Sequence, residues 1–206
     1  MPICSQELIN SRKSEIVNAC AKLYQTMSFK DITIKEIGSI ISCTRTSIYN
    51  YFQTKEEIFL SLLKQEYQLW IEDLNSITLH NSTLTKEELS NKIALSLEKR
   101  VNLLKLISMN LYDIEENSRF EHLVEFKIVY GESIKTVKKC IDKFCLDMDE
   151  NQKEEFIWLF FPFIYGIYPY ANVTQKQYQA MCEAHLDFKR TTIYDIAYKG
   201  ILKLLR

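Results

Sequence analysis

The chain has 206 residues, 47% of them hydrophobic and 12% aromatic, with a formal net charge of −1. That length buries a sizeable core in one or two domains. A charge so nearly balanced excludes a globally basic nucleic-acid binder, and only four Gly and three Pro exclude a turn-rich sheet protein in favour of long helices.

The first predicted helix carries Ile16, Cys20, Leu23, Tyr24 and Met27 at helical spacing, with Arg12, Lys13 and Lys22 off that stripe. It is expected to run about six turns or fewer. Its role is to brace the short helices that follow. Basic residues near its start are candidates to reach a nucleic-acid backbone, although a solvated face is the ordinary reading of such charges. Phe29 and Ile32 are expected to staple the connection into Thr33.

Thr33 to Lys55 reads T-I-K-E-I-G-S-I-I-S-C-T-R-T-S-I-Y-N-Y-F-Q-T-K. Thr33 and Glu36 have capping-box spacing, and Ile34, Ile37 and Ile41 give the helix they open one apolar face ending near Ser42. Thr44 is a second cap, after which Ile48 and Phe52 form a buried side; Thr54 with Glu57 opens a third helix. Two short helices joined by a few residues are the pattern of a helix-turn-helix, whose second helix enters the major groove. That helix leaves Arg45, Thr46, Ser47, Tyr49 and Asn50 outside. The face carries donors and acceptors but no acid, which suits base edges and phosphates. The competing reading is a generic pair of core helices with Tyr49 and Tyr51 packed.

The segment resembles the DNA-binding domain of TetR-type (TetR/AcrR) transcriptional regulators, with their Thr-capped helix, turn, Tyr-x-Tyr-Phe recognition helix and Lys-Glu-Glu helix start. Tyr49, Asn50, Tyr51, Phe52, Thr54, Lys55, Glu56 and Glu57 occupy those places in order. The resemblance covers the first third of the chain with good specificity and the remainder by length and helical pattern. It implies that Thr33, Thr44, Tyr49, Asn50 and Lys55 touch phosphates while Arg45, Thr46 and Ser47 face bases. Two positions depart from the family pattern. Ser42 stands where the turn Gly is usual, so a residue without free access to positive φ makes the bend. Asn50 replaces a more usual His, which keeps a hydrogen bond to phosphate and removes a titratable group.

Farther along, Ile58, Phe59, Leu62, Leu63, Tyr67, Trp70, Ile71 and Leu74 predict a long amphipathic helix. In the resembled family it joins the reading head to the effector pocket. Asn75 to Thr85 is polar, and Thr85 with Glu88 opens a helix through about Lys99. Leu103, Leu104, Ile107 and Leu111 predict a further one, broken at Glu115 to Asn117. Ser118 with Glu121 opens the next, extending to Cys145, and Asp147 to Gln152 is a polar connection.

Phe156 to Tyr170 is the most apolar stretch, F-I-W-L-F-F-P-F-I-Y-G-I-Y-P-Y. It falls short of the roughly 20 residues of a membrane span, and no membrane partner is expected. Being apolar on every side, it is expected to form the spine of a second domain or to pack on a second copy. Dense core packing accounts for most of these aromatics, and an aromatic-lined cavity is the functional reading of the same region. Its candidate lining residues are Trp70, Leu104, Trp158, Phe161 and Tyr165. Thr174 with Gln177 caps a short helix reaching His185. A last helix carries Ile193, Ile196, Ala197, Gly200, Ile201, Leu204 and Leu205, and its small residues permit close approach of another helix. With the aromatic helix it is the candidate dimer seam, in line with the four-helix bundle that the resembled family forms.

Cys4, Cys20, Cys43, Cys140, Cys145 and Cys182 show no metal-ligand pattern and follow no signal peptide, so a reduced cytoplasmic interior is the simplest account. Cys43 is expected to anchor the turn by packing. His80, His122 and His185 are far apart, and neither a metal, a cofactor nor a catalytic group is expected. The expectation is an all-α protein with a DNA-binding domain over residues 1–54 and an effector-binding and dimerisation domain over residues 55–206. As a homodimer it would hold a palindromic double-stranded operator and release it to an apolar or aromatic small molecule. Two rivals are a DNA-binding protein of this build without a small-molecule effector, and a helical ligand-binding protein or enzyme that merely contains a similar corner.

Overall fold

A computed structural model describes residues 6–41 and 44–206. The described elements are helices: α1 (Gln6–Tyr24), α2 (Ile34–Ile40), α3 (Arg45–Tyr49), α4 (Lys55–His80), α5 (Lys86–Glu98), α6 (Val101–Met109), α7 (Leu111–Glu116), α8 (Phe120–Phe144), α9 (Glu150–Ala171), α10 (Gln175–Glu183) and α11 (Ile193–Leu204). By packing, the chain divides into two compact units, one of residues up to Tyr67 with Asn110–Tyr130, the other of Gln68–Met109 with Gly131–Arg206. Helices α4 and α8 each contribute their first part to one unit and their second part to the other.

The first unit is built on the stripe read from α1. Ile16, Cys20 and Tyr24 are buried together with Ile32, Ile37, Ile48, Phe52 and Phe59. Phe59 of α4 meets the edge of Tyr24 at 5.3 Å between ring centroids and lies 4.6 Å from Phe29, so Phe29 does pin the connection. The Tyr24 hydroxyl donates to Asn110 Oδ1 at 2.8 Å, satisfying the polar end of a buried ring. Asn110 also marks a break that the spacing did not predict: its φ of −139° and ψ of 0° end α6 and start α7, dividing the single helix expected through Leu111.

In the second unit, α11 packs against α5 and α9, and α6 packs against α9. Trp70 is fully buried, donating from Nε1 to Ser96 Oγ at 3.0 Å, stacking with Phe160 and meeting Phe161 edge-on. The apolar stripe of α11, Ile193, Ala197 and Ile201, is buried within this unit. Gly200 does permit a close approach, by a ring of the same chain: a Cβ there would overlap Phe163 of α9. Within the single chain the aromatic helix is buried on only part of its surface. Phe156, Phe160, Ile164 and Ile167 are buried, while Trp158, Leu159 and Tyr170 stand exposed. No single helix among the described residues is long and apolar enough to cross a membrane.

Caps explain most helix starts. Thr85 with Glu88 and Thr174 with Gln177 form the reciprocal boxes read from sequence, and Asp149 with Gln152 adds a third inside the connection expected to be merely polar. Ser118 does not cap α8, because its hydroxyl turns back to the Ile114 carbonyl at 2.7 Å. After α10, His185 adopts a φ of 55°, and Leu186 and His185 donate to Met181 and Cys182 carbonyls in a Schellman stop.

Candidate nucleic-acid interface

Helix α2 starts where Thr33 Oγ1 accepts the Glu36 N–H at 3.4 Å; the cap is one-sided rather than a reciprocal box, and Glu36 Oε2 is buried without a hydrogen-bond partner among the described residues. Thr44 opens α3 by accepting the Ser47 N–H at 3.2 Å and bonding the Ser47 hydroxyl at 2.8 Å. Ser42 and Cys43, on which the readings of the turn and its anchor fall, lie outside the described residues. Ile48 is 0% and Phe52 1% exposed, so two side chains fasten a five-residue helix to the unit. Burying that side leaves Arg45, Thr46, Tyr49 and Asn50 exposed and Ser47 half-buried.

The exposed face is ordered internally. Arg45 donates from Nη2 to the Tyr49 hydroxyl at 2.9 Å and from Nε at 3.2 Å, with its guanidinium carbon 5.5 Å from the ring centroid. A guanidinium held this way loses less rotamer freedom when it meets a partner. Lys55 is placed differently. Its ammonium donates to the Phe29 carbonyl at 2.8 Å and sits 4.4 Å above that ring, committed to its own unit.

Behind α3 lies a polar knot. Glu57, 1% exposed, accepts the Gln53 N–H at 2.7 Å, so the box expected from Thr54 is completed one residue earlier in the chain. The same carboxylate takes Arg119 Nε at 2.5 Å and Nη2 at 3.0 Å, and Thr54 Oγ1 donates to the Asn117 carbonyl at 3.1 Å. Burial raises the Glu57 carboxyl, but the hydrogen bonds from Arg119 and Gln53 outweigh it and hold the group below its usual value. The corner after α3 is therefore tied to the start of α8. Arg119 lies 62 positions from Glu57, and no local pattern links the two.

Of the residues expected to line an effector cavity, Trp70, Leu104 and Phe161 are buried and Tyr165 is half-buried. Trp158 corrects the expectation, since at 78% exposure it cannot line an enclosed cavity of this chain. A cleft of about 370 Å³ in the second unit is lined instead by residues that include Asp73, Ile77, His80, Lys92, Leu95 and Lys99.

Residues 64–196 match the sequence profile described as tetracyclin repressor-like, C-terminal domain. An uncharacterized HTH-type transcriptional regulator, YdgC of Bacillus subtilis (strain 168), is 30% identical over 90 residues, which span 44% of this chain and 45% of that protein. A transcriptional regulator of the TetR/AcrR family from Thermobifida fusca YX-ER1 superposes with a TM-score of 0.62 at 13% identity, over 95% of this chain and 96% of its own. The regulator FadR from Bacillus subtilis, solved with stearoyl-CoA, gives 0.60 at 14% identity over 93% and 96%. At such identities the likeness to the solved structures is one of fold.

Proposed function

The chain belongs to the TetR family of transcriptional regulators, and on that premise we propose that it binds an operator as a homodimer through α3 and releases it to a small-molecule effector. The observation that carries this reading is the exposed, acid-free face of α3, with Arg45 pre-oriented by Tyr49. In this reading Arg45, Thr46 and Ser47 read base edges, and Thr33, Thr44, Tyr49 and Asn50 meet phosphates. Lys55 ties the connection between α1 and α2 to the start of α4, its charge adding to the local field at the phosphates. Residues 1–54 form the reading head, and residues 55–206 carry dimerisation and effector binding.

Two symmetric recognition helices fit half-sites spaced about 34 to 36 Å apart or a multiple of it, so a change in their separation discards contacts. An effector lowers DNA affinity by as much as it prefers the state with the wrong separation. The stearoyl-CoA bound by a structural relative supports an apolar effector, as does the aromatic packing around Trp70. The dense burial of Trp70, Leu104 and Phe161 favours a second reading, in which the same DNA-binding dimer answers to no small molecule. Titrating the operator complex with acyl-CoA and aromatic acids separates the two.

Operator selection from a random duplex pool, followed by binding to Arg45→Ala and Tyr49→Ala, tests the head. Arg45→Ala is expected to weaken specific binding by about 5- to 150-fold without changing the thermal midpoint, since a good bidentate base contact is worth about 1–3 kcal/mol. Tyr49→Ala is expected to weaken it by releasing the Arg45 guanidinium. Parent-like binding by both variants would remove α3 from the interface.

A further inference from the structure

A cleft of about 430 Å³ lies beside the C-terminal end of α3, and the reading of that helix leaves it without a role. Its walls come from three separate parts of the first unit: Lys13 of α1, Asn50, Tyr51 and Gln53 after α3, and Arg119 and His122 at the start of α8. Each of these side chains offers a hydrogen-bond donor, and no carboxylate lines the cleft.

Part of this donor capacity is unspent. Lys13 acts on the Glu125 carboxylate through space, with no close salt bridge between them among the described residues. Arg119 gives Nε and Nη2 to Glu57 and shares Nη2 with His122 Nε2 at 2.9 Å, which leaves its two Nη1 hydrogens. The contact with Arg119 uses His122 Nε2, which leaves Nδ1 for a further hydrogen bond. The neighbouring acids are already engaged or outside the walls. Glu57 is neutralised by Arg119, Glu125 pairs with Lys64 at 2.8 Å and reaches Lys13 and His122 only through space, and Glu121 acts on Arg119 only through space.

We propose that this cleft seats a phosphodiester group of the duplex held by α3, which makes α1 and the first turn of α8 part of the DNA-contacting surface. The proposal rests on the reading of α3 and extends it. Donors on α1, the α3 corner and α8 surround a space large enough for a phosphate, and the corner residues adjoin those that contact the backbone in that reading. A displacement of the first turn of α8 then changes DNA affinity directly.

The test is a fluorescence-anisotropy titration of the full chain with its selected operator and with an unrelated duplex, between 50 and 200 mM salt. The proteins are the parent, Lys13→Gln, His122→Glu and, as a comparison, Arg45→Ala. Lys13→Gln is expected to weaken both duplexes alike by about tenfold and to reduce the slope of log affinity against log salt by about 0.9. His122→Glu, which puts a carboxylate in the cleft, is expected to weaken both further, whereas Arg45→Ala acts on the operator. If His122→Glu lowers the thermal midpoint, Lys13→Gln alone decides.

Parent affinity and slope in the cleft variants, alongside lost operator discrimination in Arg45→Ala, overturn the phosphate seat and leave the α3 reading intact. A parent that binds no duplex overturns both. Calorimetric titration with inorganic phosphate supplies the remaining arm: binding that Lys13→Gln abolishes, with duplex affinity unchanged, assigns the cleft to a free phosphate and defeats the proposal.

Discussion

Glu57→Gln isolates the knot behind α3, because it removes one charge while keeping the shape and one acceptor. In the parent, the carboxylate accepts two guanidinium hydrogen bonds at 2.5 and 3.0 Å and the Gln53 N–H at 2.7 Å. Hydrogen bonds to a charged group are worth roughly 1.5–3 kcal/mol each. The amide oxygen of Gln still serves the Gln53 N–H, and Arg119, 40% exposed, is largely rehydrated when its partner loses charge. The net cost is then about 2 kcal/mol, a midpoint shift of roughly 1 M in urea unfolding followed by far-UV circular dichroism.

The pH dependence gives a second readout of the same substitution. Glu57 is held below its ordinary value of 4.5 in the folded chain, so the unfolded chain takes up the proton first as pH falls. Its contribution is whole above 4.5 and is lost as pH drops through the depressed folded value. The gap between parent and Glu57→Gln should stay constant near neutrality and narrow on acidification below 4.5. A stability difference under about 0.5 kcal/mol, or a gap indifferent to acid, would refute the assignment of Glu57 as the charged centre of the knot.

Trp70→Ala empties a site that is 0% exposed beside Phe160 and Phe161, and should cost about 3–5 kcal/mol in chemical unfolding. Trp158→Glu should shift the sedimentation of the protein from dimer to single chain without unfolding it, since Trp158, Leu159 and Tyr170 form the exposed apolar part of α9. Cys182 is exposed and should react rapidly with a disulfide reagent, whereas Cys20, Cys140 and Cys145 are buried and should react only on unfolding. Burial pushes the Cys140 thiol up to about 12, which removes its reactive thiolate at neutral pH.

Local chemistry made much of this protein legible before its tertiary structure. A Thr at the head of a helix places its start, because its hydroxyl satisfies the amide three residues on that the helix itself leaves open; Thr33, Thr44, Thr85 and Thr174 all do so. The spacing of Ile48 and Phe52 likewise determined which side of α3 is buried and therefore which residues it exposes.

What sequence could not determine were pairings between distant positions and the loss of one side of an apolar helix to solvent. The link between Glu57 and Arg119 spans 62 positions, and the cleft joining Lys13 with His122 needs α1 and α8 brought side by side. Trp158 and Phe161 are three positions apart on one apolar helix, yet one is 78% exposed and the other 4%. Hydrophobicity says that a side chain favours burial; only the packing of neighbouring helices decides which of two such side chains obtains it.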